Sequence, residues 1–333
     1  SIMRRLMGGK RTEGSSGERQ MAALRRVPKL LKYVPGTAQD VRAYYVMLQY
    51  WLAGSADNIA NMIRYFVSRY ATGTTSVGAI AAPAEYPETG LYHPDMRGRV
   101  ATDVQALPVR KDAKGRVGLL IMRSYVLAEN TSHYDAVIRG LEAAGLQVVP
   151  AFASALDNRA AVTQYFLDAN GVSTIDALLS LTGFSLVGGP AYSDAASARK
   201  VLAQLDVPYI VAQSLEFQSI QEWQADPRGL NSLQSTLQVA IPELEGATNS
   251  IVFAGKDISA NGVAGASTQP VNERVNQLVS RVRRLVALRR SARANRKVGI
   301  VLFGFPPNTG NAGTAAYLDV FASLLNTMRA MQQ

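Results

Sequence analysis

Arg116-Val-Gly-Leu-Leu-Ile-Met122 carries one basic residue and then six uncharged, mostly aliphatic ones, with a helical pattern starting at Tyr134 after a loop. A short, near-continuous apolar run of this kind is what a strand buried on both faces requires. The alternation continues downstream. Residues 134–144 read as a helix closed by Gly145, 146–149 as a strand, 160–169 as a helix and 175–181 as a strand. Residues 194–205 follow as a helix, 208–212 as a strand and 250–253 as a further strand. Strands alternating with short helices predict βαβ units, so the fold class is α/β, a mostly parallel sheet with flanking helices. This core domain spans 114–257.

Outward from it, residues 1–72 read as a helical region whose first 20 residues are a mobile basic loop, rich in Gly and Ser at 8–18. Pro35-Gly36 breaks the chain, Thr37 is the expected N-cap, and Asp40 stands where a capping-box acid would. Val41, Tyr44, Tyr45, Leu48, Trp51 and Leu52, then Ile59, Met62, Ile63 and Phe66, recur at helical spacing and predict a helical hairpin. Residues 73–113, broken by Pro83, Pro87, Pro94 and Pro108, read as an extended connector draped over a surface. Residues 258–296 read as a loop and a basic amphipathic helix, with Val275, Leu278, Val279, Val282, Leu285 and Val286 on one face. Then Lys297-Val-Gly-Ile-Val-Leu-Phe303 repeats the texture of the opening stretch, and a helix over 315–325 follows a loop. Residues 297–333 are thus expected to open a further, truncated α/β domain, with too few residues after it to complete one. The expectation is a piece of a longer protein, its native N-terminus missing or processed because residue 1 is Ser.

The 333 residues include 35 Lys+Arg, 25 Asp+Glu, 2 His and no Cys. Zero cysteine excludes disulfides, thiolate metal sites and a cysteine nucleophile, and fits a reducing compartment. There is no uninterrupted apolar run long enough to span a bilayer and no secretory h-region. The net charge of +10 is uneven: residues 1–32 and 271–297 each hold nine basic side chains, while residues 33–270 carry a net charge of −5. The two arginine-rich segments invite a nucleic-acid reading. However, residues 271–297 contain no aromatic for base stacking and no reader module, so a solvated helix face or a docking face for an acidic partner explains them better.

Three segments have the residue types for chemistry. The loop Gly304-Phe-Pro-Pro-Asn308-Thr-Gly310-Asn311-Ala-Gly313-Thr314 follows an apolar strand and precedes a helix. Its glycines permit close backbone approach and its N–H groups suit a carboxylate or phosphate, although the spacing is neither Walker A nor GxGxxG. The alternative is a tight turn with Asn side chains bonding the local backbone. Arg123, Glu129 and His133 lie in the loop after 116–122, where a cleft forms in open α/β sheets; they are able to bind or move protons. The alternative there is that Thr131 or Ser132 caps a helix and His133 sits on its surface. His93 is a lone candidate ligand or base, with no zinc-like spacing to His133. Gly183-Phe-Ser-Leu-Val-Gly-Gly-Pro190 either lines a pocket or makes a turn.

Several stretches together resemble the large porphyrin-binding H subunit of magnesium chelatase, a family related to the cobaltochelatase large subunit. They are Leu30-Leu-Lys-Tyr-Val-Pro-Gly-Thr-Ala-Gln-Asp-Val-Arg-Ala-Tyr-Tyr45, Gln49-Tyr-Trp-Leu-Ala-Gly-Ser55 with Asn58-Ile59, Tyr92-His-Pro-Asp95, and the run from Phe305 to Asp319. The resemblance implies binding of protoporphyrin IX and insertion of Mg2+ as co-substrate, within chlorophyll or bacteriochlorophyll biosynthesis. ATP would be hydrolysed on separate AAA+ ATPase subunits, in agreement with the absence of a P-loop here. It implies a cytoplasmic protein, or one of the plastid stroma, with no nucleic-acid partner and no membrane span. The alternatives are cobalt insertion into a corrinoid by a cobaltochelatase large subunit, or a non-catalytic α/β ligand-binding module. The family's insertion chemistry is expected beyond Gln333, so no catalytic or metal-binding residue is assigned and this piece alone is expected to be inactive. Glu129, His133 and His93 stand as catalytic candidates. Asn308, Gly310, Asn311, Gly313, Thr314 and Arg123 are the porphyrin-binding candidates, the loop meeting a propionate through its backbone N–H groups.

Overall fold

The computed structural model describes residues 28, 30–73, 76–154, 156–189, 192–258, 264–304, 313 and 318–332. In chain order the elements are α1 (Ala38–Ala53), α2 (Ala56–Tyr70), β1 (Thr89–Tyr92), β2 (Val100–Ala101), β3 (Arg116–Met122), α3 (Arg123–Leu127), α4 (Ser132–Ala143), β4 (Gln147–Ala153) and α5 (Arg159–Phe166). They continue with β5 (Ala177–Ser180), β6 (Gly188–Gly189), β7 (Tyr192–Ser193), α6 (Ala195–Leu205), β8 (Tyr209–Ser219), α7 (Ile220–Ala225), α8 (Ser232–Gln234) and α9 (Ile241–Glu245). Last come β9 (Thr248–Ile258), β10 (Ala264–Pro270), α10 (Asn272–Arg290) and α11 (Val320–Met331).

Eight strands form one sheet in the order β10-β9-β8-β5-β3-β4-β1-β2. The five inner strands, β9-β8-β5-β3-β4, are parallel, and an antiparallel strand or pair closes each edge. The class is therefore α/β with a mostly parallel sheet. In β3 the side chains alternate with period two. Val117, Leu119 and Ile121 enter a core shared with α4 and α10. Leu120 points to the other face, among Val162 and Phe166 of α5 and Ala198 of α6. Burial on both faces explains why β3 has no polar alternation.

The stretch read as a connector does more than cover a surface. Its Thr89–Tyr92 pairs with β4, and Leu91 and Tyr92 are fully buried. Gly90 makes this possible, because a Cβ there would lie 2.5 Å from the Phe152 ring. Residues 264–290, read as part of a loop and a helix, likewise belong to this body. Ala264–Pro270 pairs with β9 through its backbone, so its polar side chains gave no strand signal. In α10 Val275, Leu278, Val282 and Val286 are buried against the sheet, whereas Arg283 and Arg284 stay exposed.

The predicted hairpin is α1 and α2, joined at Gly54 (φ +68°) with Ser55 capping α2 by accepting from the Asn58 N–H. Thr37 makes no side-chain cap, and Asp40 is no capping-box acid. It accepts instead from Arg69 at 3.3 Å and Tyr70 at 3.0 Å, tying the start of α1 to the end of α2. Asn58 and Asn61 strap the hairpin to the backbone of Ala81 and Ala84.

Residues 291–333 form a separate compact unit. The strand expected at 297–303 is not formed: the segment has no regular secondary structure and joins no sheet among the described residues. The helix expected at 315–325 is described as Val320–Met331, capped by Asp319, which accepts from the Ala322 N–H at 2.9 Å. The loop expected at 1–20 lies outside the described residues.

Gly118 is the tightest point of the central strand: a Cβ there would lie 2.9 Å from Ile175 and 3.0 Å from the Phe166 ring. Gly118→Val is expected to lower the unfolding free energy by about 1–3 kcal/mol, the usual cost of overpacking. Urea unfolding followed by circular dichroism measures it, and an unchanged midpoint would contradict this packing.

Candidate functional site

Read from its edge, the parallel part of the sheet runs β4-β3-β5-β8-β9, so the strand order reverses between β3 and β5. The helices following these two strands leave on opposite faces, and a crevice opens at their carboxyl ends, the usual place for a ligand in this fold class. A cavity of about 200 Å³ lies there. Its walls are Ile121 to Ser124 at the end of β3, Ala153 and Ser154 at the end of β4, and Thr182, Phe184 and Ser185 after β5. Leu127, Leu156 and Asn158 also line it, as do Leu52, Ala53 and Gly54 of the hairpin joint.

Two buried groups fix the wall made by the glycine-rich segment 183–189. The Glu245 carboxylate, 1% exposed, accepts from the Ser185 hydroxyl and from the Leu186 N–H at 2.8 Å. On the other side Asn158 donates through its backbone N–H and its side chain to the Leu186 carbonyl, at 3.0 and 3.3 Å. Without the carboxylate the Leu186 N–H would be buried without a partner, which is costly.

Of the residues expected to act together after β3, only Arg123 lines the crevice. Its Nε and Nη2 donate to the Pro87 and Tyr86 carbonyls at 3.0 and 3.1 Å, which commits two of its five N–H donors. Burial holds its pKa below the ordinary guanidinium value. Glu129 turns away. It sits at φ +58°, exposed, 3.8 Å from the Arg99 guanidinium. Arg99 also donates to the buried Tyr92 and Thr131, so Glu129 stands at the exposed edge of that cluster.

His133 is neither on a helix surface nor in the crevice. It is fully buried, with its ring centroid 3.9 Å from that of Tyr134, 5.3 Å from Tyr125 and 5.8 Å from Phe253. Neither ring nitrogen has a hydrogen-bond partner among the described residues. Loss of solvation pushes its pKa down to about 3, so it stays neutral at physiological pH. Thr131 and Ser132 do not cap α4 as expected either. The Thr131 hydroxyl accepts from Arg99 and Tyr92, and Ser132 donates to the Thr268 carbonyl.

His93 lies toward the opposite end of the sheet, because β1 runs antiparallel to β4. It is 1% exposed, with Nδ1 accepting the Asp95 N–H at 3.1 Å and Nε2 3.2 Å from Glu142. His93, Asp95 and Glu142 have the spacing to hold a cation. Yet Asp95 is already bonded by Arg139 at 2.8 and 3.3 Å, and that guanidinium opposes a second positive charge. The trio therefore reads as a fastening for the turn after β1.

Asn308, Gly310, Asn311 and Thr314 lie outside the described residues. Gly313 is a buried turn residue at φ +74°, where a Cβ would meet Val320 at 3.4 Å. The residues missing from the sequence-based candidates are Ser154, Asn158, Thr182, Phe184, Ser185 and Glu245. The glycine-rich segment was a visible signal for Phe184 and Ser185, and it lines the pocket. Glu245 had none, because its partners are about 60 residues away.

Known proteins share this architecture. The profile described as CobN/Magnesium Chelatase matches residues 48–333, and a profile for a domain of unknown function matches residues 1–45. The H subunit of magnesium chelatase from Rhodobacter capsulatus is 49% identical over 100% of this chain and 29% of its own length. That of Cereibacter sphaeroides is 50% identical, again over 100% of this chain and 29% of its own length. The chain thus spans under a third of these relatives. The catalytic subunit of cobaltochelatase from Mycobacterium tuberculosis shares the fold, with a TM-score of 0.63 at 22% identity, over 87% of this chain and 23% of that one.

His133 supplies a pH test of the core. Between its ordinary pKa of 6.5 and its folded value of about 3, the unfolded chain binds a proton that the folded chain excludes. Stability from this residue is therefore complete above pH 6.5 and falls as pH drops through that window, by about 1.4 kcal/mol per unit. His133→Leu is expected to flatten the acid limb of a stability–pH curve below about pH 6, read by urea unfolding. A curve parallel to that of the native sequence would show the imidazole to be solvated.

Proposed function

The chain belongs to the CobN/Magnesium Chelatase family, and from that membership we propose that it is part of a magnesium chelatase subunit that holds protoporphyrin IX while Mg2+ is inserted. The observation that supports this most is the identity of about one half, along all 333 residues, with subunits named for that activity. The likeness to the cobaltochelatase structure carries the fold alone, so the magnesium branch is preferred over the cobalt branch.

The substrate chemistry explains why such a subunit needs partners. Mg2+ prefers octahedral oxygen ligands and sheds water reluctantly, so exchanging that shell for four planar nitrogens is uphill and slow. Two pyrrole protons must leave as well. In this reading AAA+ ATPase subunits supply the energy, and the present residues hold and orient the ring. The crevice at the carboxyl edge suits one side of a tetrapyrrole. Its apolar walls at Leu52, Ile121, Leu127 and Phe184 accept the ring edge. The remaining donors of Arg123, with Ser154, Thr182 and Ser185, meet a propionate. At about 200 Å³ it falls short of the roughly 300–1,000 Å³ of pockets that enclose a whole ligand, so only an edge enters. Trp51, 62% exposed and next to Leu52 in the chain, lies along the rest of the ring in this reading. His133, sealed in the core, is not the base. Among the described residues no helix is long and apolar enough to cross a membrane; the proposed setting is the cytoplasm, or the plastid stroma in a plant.

A titration of the 333-residue chain with protoporphyrin IX tests the reading, following tryptophan fluorescence and the porphyrin absorbance band at low and high salt. Saturable binding with a shifted band is expected, without formation of the magnesium porphyrin by this chain alone. Arg123→Gln and Phe184→Asp are each expected to weaken binding about tenfold, or about 1.4 kcal/mol. Absence of binding, while the intact Cereibacter sphaeroides protein binds under the same conditions, would make these residues scaffold.

A further inference from the structure

Lys297-Val-Gly-Ile-Val-Leu-Phe303 has no regular secondary structure, pairs with no strand among the described residues, and is exposed throughout. Val298 is 64% exposed, Val301 96% and Phe303 70%. An unpaired apolar segment of this kind is a template for another strand.

Its counterpart in the same chain shows the setting such a sequence fits. Arg116–Met122 has the same order of residue types, and there Val117, Leu119, Leu120 and Ile121 are at most 1% exposed. That burial comes from a parallel strand on each side and helices over both faces. The glycines give an independent measure. Gly118 is pressed by Ile175 and Phe166, so a side chain there would block the approach of α5. Gly299 occupies the matching place in the repeat, and a Cβ built on it meets nothing within 4 Å.

We propose that residues 297–303 form an inner strand of a second parallel sheet. A parallel strand lies on each side of it and a helix crosses at Gly299, all supplied by further sequence of the family polypeptide. Relatives that match this chain along its whole length have it as only 29% of their own, which leaves ample chain to supply them. The neighbours it fits are uncharged aliphatic strands, since the segment has no charge after Lys297. Packing and family length carry this assignment, independently of whether the crevice holds a porphyrin.

Hydrogen exchange read by mass spectrometry tests it, on the 333-residue chain and on a chimera in which these residues replace the matching segment of the Cereibacter sphaeroides protein. Amides 299–303 are expected to exchange within about tenfold of an unstructured peptide in the short chain and about a thousandfold more slowly in the chimera. Gly299→Val is expected to leave the short chain unchanged and to abolish that protection in the chimera; Gly299→Ala, a smaller intrusion, is expected to reduce it in part. Fast exchange in the chimera, or protection indifferent to both substitutions, would overturn the proposal. So would protection in the short chain that grows with concentration, which would assign the edge to a second copy.

Discussion

The confinement of β3 governs the rest of the molecule. It has a parallel neighbour along each edge, α4 and α10 over one face and α5 over the other. A strand so enclosed has no place for a charge or for a side chain at Gly118. Its neighbours must be reached by crossovers, and the crossovers put helices on both faces. Because β4 and β5 lie on opposite sides of β3, the connections diverge where the strands end. The crevice is the gap that this divergence leaves.

The molecule closes its sheet by different means at its two sides. At one, β1 and β2 are short and antiparallel, with Tyr92 and Leu91 buried by the chain that carries them. At the other, β10 pairs through its backbone with β9, and α10 then runs back across the face. The hairpin is attached differently again, by hydrogen bonds from Asn58 and Asn61 to an extended segment. Its apolar side chains, Tyr44, Trp51, Ile63 and Phe66 among them, therefore remain more than half exposed.

What the sequence revealed follows from the range of each interaction. The parallel strands and their helices were legible because the pattern that encodes them is local: an apolar run, a turn, a helical period. Strands β1 and β10 were not, because one is four residues among prolines and the other is nearly all small or polar, and both are defined by their partners. The same distinction applies to the site. Arg123 and the glycine-rich segment were found from their place after a strand. His133 looked like a surface residue until Tyr125, Tyr134 and Phe253 enclosed it. Glu245 was invisible because a carboxylate near a helix end looks solvated, and only the folded chain brings Ser185 and Leu186 to it.

That carboxylate joins two parts of the molecule mechanically. One of its ends belongs to α9, which leads directly into β9; the other holds the loop that walls the crevice. The wall cannot move without moving the carboxylate or breaking a charge-assisted bond. The segment that carries Phe184 and Ser185 and the end of α9 thus share one buried anchor. A single buried side chain links the wall of the cavity to a helix that does not line it.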